Sequence, residues 1–392
     1  MKEILKIVEA HKDYVINLRR EFHEHPELGL QEFWTAARIE KELDAFGIEH
    51  ERIGETGVFG KIYGGKGAGK VIVLRADIDA LAIQETNPVA YASKIEGRMH
   101  ACGHDAHNAC LLTAAKILQD NKHLFCGEVR LCFQQAEEIG AGAKQFIAAN
   151  ILDGAGRVFG FHIAPDIDSG VIGVKKGINN ASVDHFKIHV KGRAAHVSTP
   201  HKGVDALYIS SQIVVALQAL VSRRTSPIEP LIIGVGLLEA GTAYNIVAEN
   251  GVLEGTVRAC SHGTRAQAKA DITRLAADIA QIYGGKADIA WTDFTSPLIN
   301  DAAVCDEVVD LITRHWGKEF VTTARELSLG GDDIAEFLLK VPGAYAFLGT
   351  GNDQNAHTRL PAHNGGFDID EEALPKGVGL HVLYALEWLE NT

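Results

Sequence analysis

Basic residues are fewer than acidic ones in this sequence, and no basic tract occurs. Lys and Arg number 38 against 51 Asp and Glu, so the net charge is −13. Because phosphate binding depends on clustered Lys and Arg, this balance argues against a nucleic-acid-binding surface. The 392 residues exceed what one ordinary core holds, and we expect two domains.

Long apolar runs and patterned cysteines are also missing. The segment 1–9 alternates charged and apolar residues and lacks the apolar core of a signal peptide. No uninterrupted apolar run approaches the ~18 residues of a membrane span, so we expect no membrane contact. The six cysteines are scattered rather than spaced as a disulfide framework. This usage fits a reducing compartment and predicts a cytoplasmic protein.

One short stretch concentrates metal-binding side chains. Residues 100–107 read His-Ala-Cys-Gly-His-Asp-Ala-His, with one thiol and three imidazoles. About 30 residues later, an apolar run at 129–133 is followed by Glu137 and Glu138. Thiolate, imidazole and carboxylate bind borderline-soft metals such as zinc, and a further carboxylate can act as a general base. The pattern predicts a metallohydrolase.

Hydrophobic periodicity predicts an α/β fold. Helices are predicted over the first 50 residues, with strands at 58–63, 71–74, 129–133 and 158–161 and a helix at 108–118. Such alternation favours a largely parallel sheet. The candidate polar residues all follow predicted strands, at the edge where open α/β sheets bind ligands. They are Asp77, Asp79, Glu137, Glu138 and His162.

The pattern changes near residue 183. A β-α-β-β-α-β order over about 110 residues predicts a ferredoxin-like arrangement. We therefore expect a discontinuous catalytic metal-binding domain, 1–180 and 293–392, with an inserted α+β domain at 181–292.

Each candidate also has a purely structural interpretation. Cys102 could be a buried cysteine beside surface histidines, and adjacent acids such as Glu137 and Glu138 usually form a solvated loop. His162 alone would more often be a core histidine, and His363 an ordinary loop residue. Their agreement in type and position favours the metal interpretation.

The sequence resembles the M20 metallopeptidase superfamily, in its amidohydrolase branch of hippurate hydrolases, N-acyl-amino-acid deacylases and auxin-conjugate hydrolases. The matching segments span almost the whole chain. They are Arg-Arg-Glu-Phe-His-Glu-His-Pro-Glu at 19–27, Arg-Ala-Asp-Ile-Asp-Ala-Leu at 75–81, Gly-Arg-Met-His-Ala-Cys-Gly-His-Asp at 97–105, Phe-Gln-Gln-Ala-Glu-Glu at 133–138, Gly-Arg-Ala-Ala-His at 192–196 and Leu-Glu-Gly-Thr-Val-Arg at 253–258.

The resemblance implies a centre of two divalent metal ions. Cys102 favours zinc, while manganese, nickel or cobalt also suits such a site. Glu137 would be the general base that takes a proton from the attacking water and passes it to the leaving amine. Asp79 would orient a ligand. The implied ligands are Cys102, His104, Glu138, His162 and His363.

The same resemblance assigns roles to the inserted domain. It would be a lid and the contact of a homodimer, with His196 supplying an imidazole to the oxyanion, often across the dimer. Asn245 and Arg258 would hold the substrate, and Arg258 suits a carboxylate. An exposed salt-bridge arginine remains the alternative for Arg258, and Arg75 reads as structural.

Two departures stand out. Many relatives carry Glu-Asp where this chain has Asp332 and Asp333, which we expect to alter the pocket wall rather than the metals. His357 competes with His363 as the last ligand, and spacing to the segment 367–375 favours His363.

The resemblance implies hydrolysis of N-acyl amino acids to a carboxylic acid and an amino acid. The alternatives are a dipeptidase or aminopeptidase, in which a metal-binding His more often stands where this chain has Asp77, and an N-acetyldiaminopimelate deacetylase. A catalytically silent metal-binding scaffold is the competitor outside enzymes.

Overall fold

The computed structural model describes residues 1–390, which form two compact units. The first unit comprises Met1–Gly177, Ile299–Glu326 and the chain from Asp332 onward. The second comprises Ile178–Leu298 and Leu327–Gly331. Each unit has its own cluster of buried apolar side chains.

Helices and strands alternate along most of the chain. The α-helices are α1 Lys2–Ala10, α2 Lys12–His23, α3 Phe33–Phe46, α4 His104–Asp120, α5 Gly142–Ala148, α6 Ala206–Ala219, α7 His262–Ile282, α8 Ala302–His315, α9 Ala335–Leu338 and α10 Leu374–Glu390. The strands are β1 Glu49–Ile53, β2 Gly57–Tyr63, β3 Val71–Asp77, β4 Glu128–Gln134, β5 Arg157–Asp168, β6 Ile172–Gly173, β7 Gly177–Asn180, β8 Val183–Lys191, β9 Leu231–Ala240, β10 Asn250–Ala259, β11 Lys286–Thr295, β12 Leu298–Asn300, β13 Val321–Thr322 and β14 Gly343–Gly351.

The sheet of the first unit has the strand order β1-β2-β4-β3-β5-β14-β6-β13. Its central strands β4, β3, β5 and β14 run parallel, whereas β1 and β2 at one edge are antiparallel. The run Val71-Ile72-Val73-Leu74 suits β3 because a central parallel strand is covered on both faces. The prediction of a mostly parallel α/β sheet is confirmed.

Helix α4 is almost entirely buried. It packs against α2, α10 and β3, so small and apolar residues cover nearly its whole surface. From the sequence we predicted this helix only from residue 108 onward, because the polar residues His104, Asp105 and His107 mask the apolar periodicity of its first turn. That turn begins at His104 and fixes the position of the preceding thiol.

Two sequence-based boundaries were wrong. The predicted N-terminal helix is broken at His11, whose ring Nδ1 lies 2.7 Å from the carbonyl oxygen of Ile7. His162 does not follow a strand but lies inside β5, which continues to Asp168 because β14 pairs with it along this length. Pairing with β14 therefore fixes the backbone position of His162.

The second unit contains a four-stranded antiparallel sheet with the order β11-β8-β10-β9. Helices α6 and α7 pack on it, which gives the β-α-β-β-α-β succession of a ferredoxin-like arrangement. Phe186, Ile188 and Leu253 are among its buried core residues.

By length and composition, the helical stretch Ala206–Arg224 could cross a membrane. Inspection of the sequence missed it because residues 210–212, Ser-Ser-Gln, interrupt the apolar run. Its Ile209, Ile213 and Leu217 are buried in the core of the second unit, as in an ordinary packed helix. One such helix is weak evidence for a membrane span.

Candidate metal centre

The chain turns sharply between Cys102 and His104. Gly103 has a φ of 84°, and a Cβ atom there would overlap the side chain of Ile163. Glycine is needed on both counts, since it tolerates positive φ and adds no side chain. The turn directs the Cys102 thiol and the His104 imidazole toward β5.

The five implied ligands lie together in the first unit. Cys102 Sγ is 3.3 Å from His162 Nε2, and Glu138 Oε1 is 3.8 Å from His104 Nε2. His363 Nε2 lies 3.4 Å from the same Glu138 oxygen. Two groups, each with ligand atoms within 4.8 Å of one another, are Cys102 with His104 and His162, and Cys102 with Glu138 and His363.

Hydrogen bonds fix which ring nitrogen of two histidines is free for a metal. His162 Nδ1 lies 2.7 Å from the carbonyl oxygen of Ile163, which can only accept, so this nitrogen carries the proton. His104 Nδ1 faces Asp79 Oδ1 at 3.3 Å. Both Nε2 atoms then keep a lone pair, as metal-ligating imidazoles require.

The donor set fits divalent metal ions. His104 Nε2 and Glu138 Oε1 are buried without a hydrogen-bond partner among residues 1–390. Such orphaned atoms are costly unless another group satisfies them. Asp79 also accepts a hydrogen bond from the backbone N–H of Glu138 at 3.0 Å, so one carboxylate orients two implied ligands.

Burial governs the protonation of Cys102. Desolvation first, and then the Glu138 carboxylate, raises the pKa of Cys102 to about 12. Burial is the largest of the effects on this thiol. Since a metal binds the thiolate, loading the site must displace this proton.

Glu137 follows a strained turn. Ala136 has a φ of 53°, and its backbone N–H donates to the buried Glu32 carboxylate at 2.8 Å. The turn leaves Glu137 only 6% exposed, and its carboxylate lies within 4.8 Å of ligand atoms of His104 and Glu138. Carboxylate oxygens of Asp332 and Asp333 also lie within 4.8 Å of the Glu137 carboxylate. Burial, followed by the charges of Asp332 and Glu138, raises the pKa of Glu137 well above its usual range.

Asp332 and Asp333 are both buried beside Glu137. Asp333 is fully buried and accepts hydrogen bonds from Arg75, Gln134 and the backbone of Ala143. No local pattern indicates these hydrogen bonds, because the partners lie far apart along the chain.

Asp77 and His107 form a supporting pair that we did not assign. Arg75 donates to Asp77 Oδ2 at 2.7 Å, and His107 Nδ1 lies 2.5 Å from Asp77 Oδ1. His107 Nε2 accepts the backbone N–H of Ile163, next to His162. Both ring nitrogens of His107 are thus engaged. Its presence in the residue 100–107 cluster was the available signal.

The two competing histidines lie in different surroundings. His363 has a φ of 64° and faces Glu138, whereas His357 Nδ1 lies 2.8 Å from the carbonyl oxygen of Gly366. Within the described residues, the groups of close ligand atoms include His363 and not His357. This geometry favours His363.

The remaining implied residues lie in the second unit. His196 is exposed, and its Nδ1 accepts the backbone N–H of Ser198 at 3.1 Å, so a neutral ring carries its proton on Nε2. The carbonyl oxygen of Asn245 accepts from Val197 N–H, which places Asn245 beside His196. Arg258 donates weakly to the carbonyl oxygen of Leu329 at 3.4 Å, and burial lowers its pKa.

The profile of Peptidase family M20/M25/M40 matches residues 73–387 of the chain. This range includes every implied metal ligand and Glu137.

Full-length relatives and a solved structure share this similarity. The chain is 39% identical over 384 residues to thermostable carboxypeptidase 2 of Saccharolobus solfataricus, covering 96% of each. It is 42% identical to an N-acetyl-L-cysteine deacetylase of Bacillus subtilis, covering 92% of this chain and 85% of the relative. A dinuclear metal-binding peptidase of the M20 family from Bacillus subtilis superposes with a TM-score of 0.84 at 34% identity, over 98% of this chain and 100% of the other.

Proposed function

This chain belongs to Peptidase family M20/M25/M40 and is a metal-dependent amidohydrolase, and we propose that it hydrolyses N-acyl amino acids to a carboxylic acid and a free amino acid. The observation that carries the proposal is the buried cluster of thiol, imidazole and carboxylate donors with Glu137 beside it. The deacetylase relative acts, by its name, on an N-acetyl amino acid.

The implied ligands would hold two divalent metal ions, zinc by the preference of Cys102 for soft metals, with manganese, nickel or cobalt as alternatives. Bound there, the ions would polarise the amide carbonyl and lower the pKa of the attacking water. Cys102, His104, Glu138, His162 and His363 are the residues concerned.

Glu137 is the proposed general base. Its carboxylate takes one proton from the attacking water and delivers it to the nitrogen of the departing amino acid. Burial and the charges of Asp332 and Glu138 favour its protonated form, which suits the second of these transfers. The buried position keeps bulk water from competing as a base.

The second unit is proposed to supply substrate contacts. His196 presents its Nε2–H as a hydrogen-bond donor for the oxyanion that develops on the amide oxygen. Asn245 and Arg258 hold the substrate, with Arg258 on its α-carboxylate. We further propose a cytoplasmic homodimer, formed through this unit, in which His196 serves the partner's centre. A monomer in sizing experiments would remove this last role.

A peptidase is the second candidate, because one relative is named a carboxypeptidase. Position 77 holds an aspartate in this chain rather than a histidine. Both Asp77 oxygens are engaged, one by Arg75 and one by His107. A metal-binding histidine at this position was our criterion for the peptidase branch.

A release assay tests the proposal. Purified protein is incubated with acetyl- and benzoyl-amino acids, N-acetyldiaminopimelate and matched dipeptides, and the free amine is measured. Each substrate is run as isolated, after chelation, and after re-addition of zinc, manganese or cobalt. We expect chelator-sensitive hydrolysis of the acyl amino acids that metal restores. Cleavage of dipeptides alone would assign the chain to the peptidases, and no cleavage at full metal content would favour a silent scaffold.

A further inference from the structure

One arginine of the first unit lacks the partners that its other buried arginines have. Arg19 donates to Asp105 and Asp368, and Arg75 is equally well paired. Arg325, on the segment after β13, has a buried Nη1 atom with no hydrogen-bond partner among residues 1–390. Burial lowers its pKa, and the charge of Asp166 offsets this only in part.

Arg325 lies over the sheet face that carries His162, one of the implied ligands. Its guanidinium carbon is 3.1 Å from the centre of the Phe347 ring. Phe347 on β14 is the register partner of His162 on β5, and partners in a parallel ladder point to the same face. The Tyr345 ring lies 5.7 Å from Phe347 and 6.4 Å from His162, measured between ring centres. Two aromatic side chains, Phe347 and Tyr345, therefore connect Arg325 to an implied ligand.

The surroundings of Arg325 call for an anion. A desolvated cation without a hydrogen-bonded counter-ion is costly, and one aromatic face compensates for it only partly. Asp166, whose charge acts on Arg325, makes no hydrogen bond with its Nη1 atom. A planar guanidinium binds a carboxylate through two parallel hydrogen bonds.

We propose that Arg325 binds a second carboxylate of the substrate, so that the enzyme selects N-acyl amino acids with a carboxylate besides the α-carboxylate. This inference rests on the proposed function. The second carboxylate comes either from the amino acid side chain, as in an acylated glutamate, or from a dicarboxylic acyl group. The two sources share one chemistry and are separable by experiment.

The test compares substrates that differ in this charge. N-acetyl-L-glutamate is paired with N-acetyl-L-glutamine, and N-succinyl-L-alanine with N-butyryl-L-alanine, using the metal-loaded protein. We expect kcat/KM to favour the charged member of one pair, which identifies the source. Arg325→Gln should reduce this preference on the order of 10- to 100-fold, because a charge-assisted hydrogen bond is lost. Arg325→Lys should restore part of it.

The control is Arg314→Gln, which removes a half-exposed arginine paired with Glu387 on another part of the unit and should leave the preference unchanged. Melting curves verify that each variant is folded. No preference in the wild type, or an equal loss on both members of a pair in Arg325→Gln, would overturn the inference and leave the proposed function intact.

Failure of the proposed function has a different signature. If no acyl amino acid is hydrolysed, calorimetric titration of the metal-loaded protein with L-glutamate against L-glutamine, and with succinate against succinamate, decides the inference without turnover. Tighter binding of a charged ligand that Arg325→Gln abolishes supports it. Equal binding of both members, or a preference that survives the substitution, refutes it.

Discussion

At the scale of single residues, Glu137 and Cys102 are neighbours with separable roles. Glu137→Ala should reduce turnover to background with metal content nearly normal, because this carboxylate is proposed to move protons and not to hold metal. Cys102→Ala should lose metal as well as activity, since Cys102 belongs to both groups of close ligand atoms that consist of implied ligands alone. Metal analysis beside the release assay checks both. Full activity in Glu137→Ala would refute the proposed mechanism.

Residue chemistry explains which parts of the centre the sequence predicted. Cys102, His104, Glu137 and Glu138 stand close in short segments whose side-chain types already indicate a metal. The roles of Asp333 and Arg325 depend on partners dozens to hundreds of residues away, such as Arg75 and Phe347. No local pattern indicates such contacts.

At the scale of elements, the turn that starts α4 controls the centre. Gly103→Ala should destabilise the protein by about 2 kcal/mol or more and weaken metal binding, because positive φ and overlap with Ile163 add up. Gly97→Ala is the matched control, with a φ of 71° and no atom within 4 Å of the added Cβ. Denaturant unfolding measures both. Equal losses in the two variants would show that the Ile163 overlap is unimportant.

Buried ion pairs link helices α2 and α4. His23 on α2 lies 2.7 Å from Asp105 on α4 and 3.1 Å from Glu85. Burial and Arg19 lower the pKa of His23, but the two carboxylates prevail and raise it. Because the pKa of His23 is higher in the folded than in the unfolded protein, protonation of His23 stabilises the fold. This contribution is complete below the unfolded-state pKa of about 6.5 and is lost as the pH rises through the folded-state pKa.

His23→Gln should therefore lower the free energy of unfolding most at acidic pH. We expect a loss in the free energy of unfolding of about 3 kcal/mol near pH 6 and a smaller one at alkaline pH. Urea unfolding of both proteins between pH 6 and 9 measures the difference. A pH-independent loss would mean that His23 is neutral in the folded protein.

The elements themselves were largely predictable, because apolar periodicity marks strands such as β3 and helices such as α10. The residues at which these helices and strands end were less predictable. The run that forms β5 loses its apolar character near His162, yet pairing with β14 continues the strand to Asp168. Tertiary pairing here overrides the local signal.

At the scale of the whole molecule, the two cores should respond differently to metal. A metal that binds only the folded first unit stabilises that unit by mass action. Chelation should therefore increase hydrogen exchange in the segments 100–107 and 134–140, while β8 and β10 of the second unit keep their protection. Exchange followed by mass spectrometry with and without chelator checks this. Equal loosening of both units would show that they unfold together.

The raised pKa of the Cys102 thiol bears on what happens when metal is lost. Oxidants attack the thiolate, and the pKa of about 12 keeps the metal-free side chain protonated at neutral pH. We therefore expect metal depletion to leave a dormant chain rather than an oxidised one. Activity should then return when metal is added back, without a reductant.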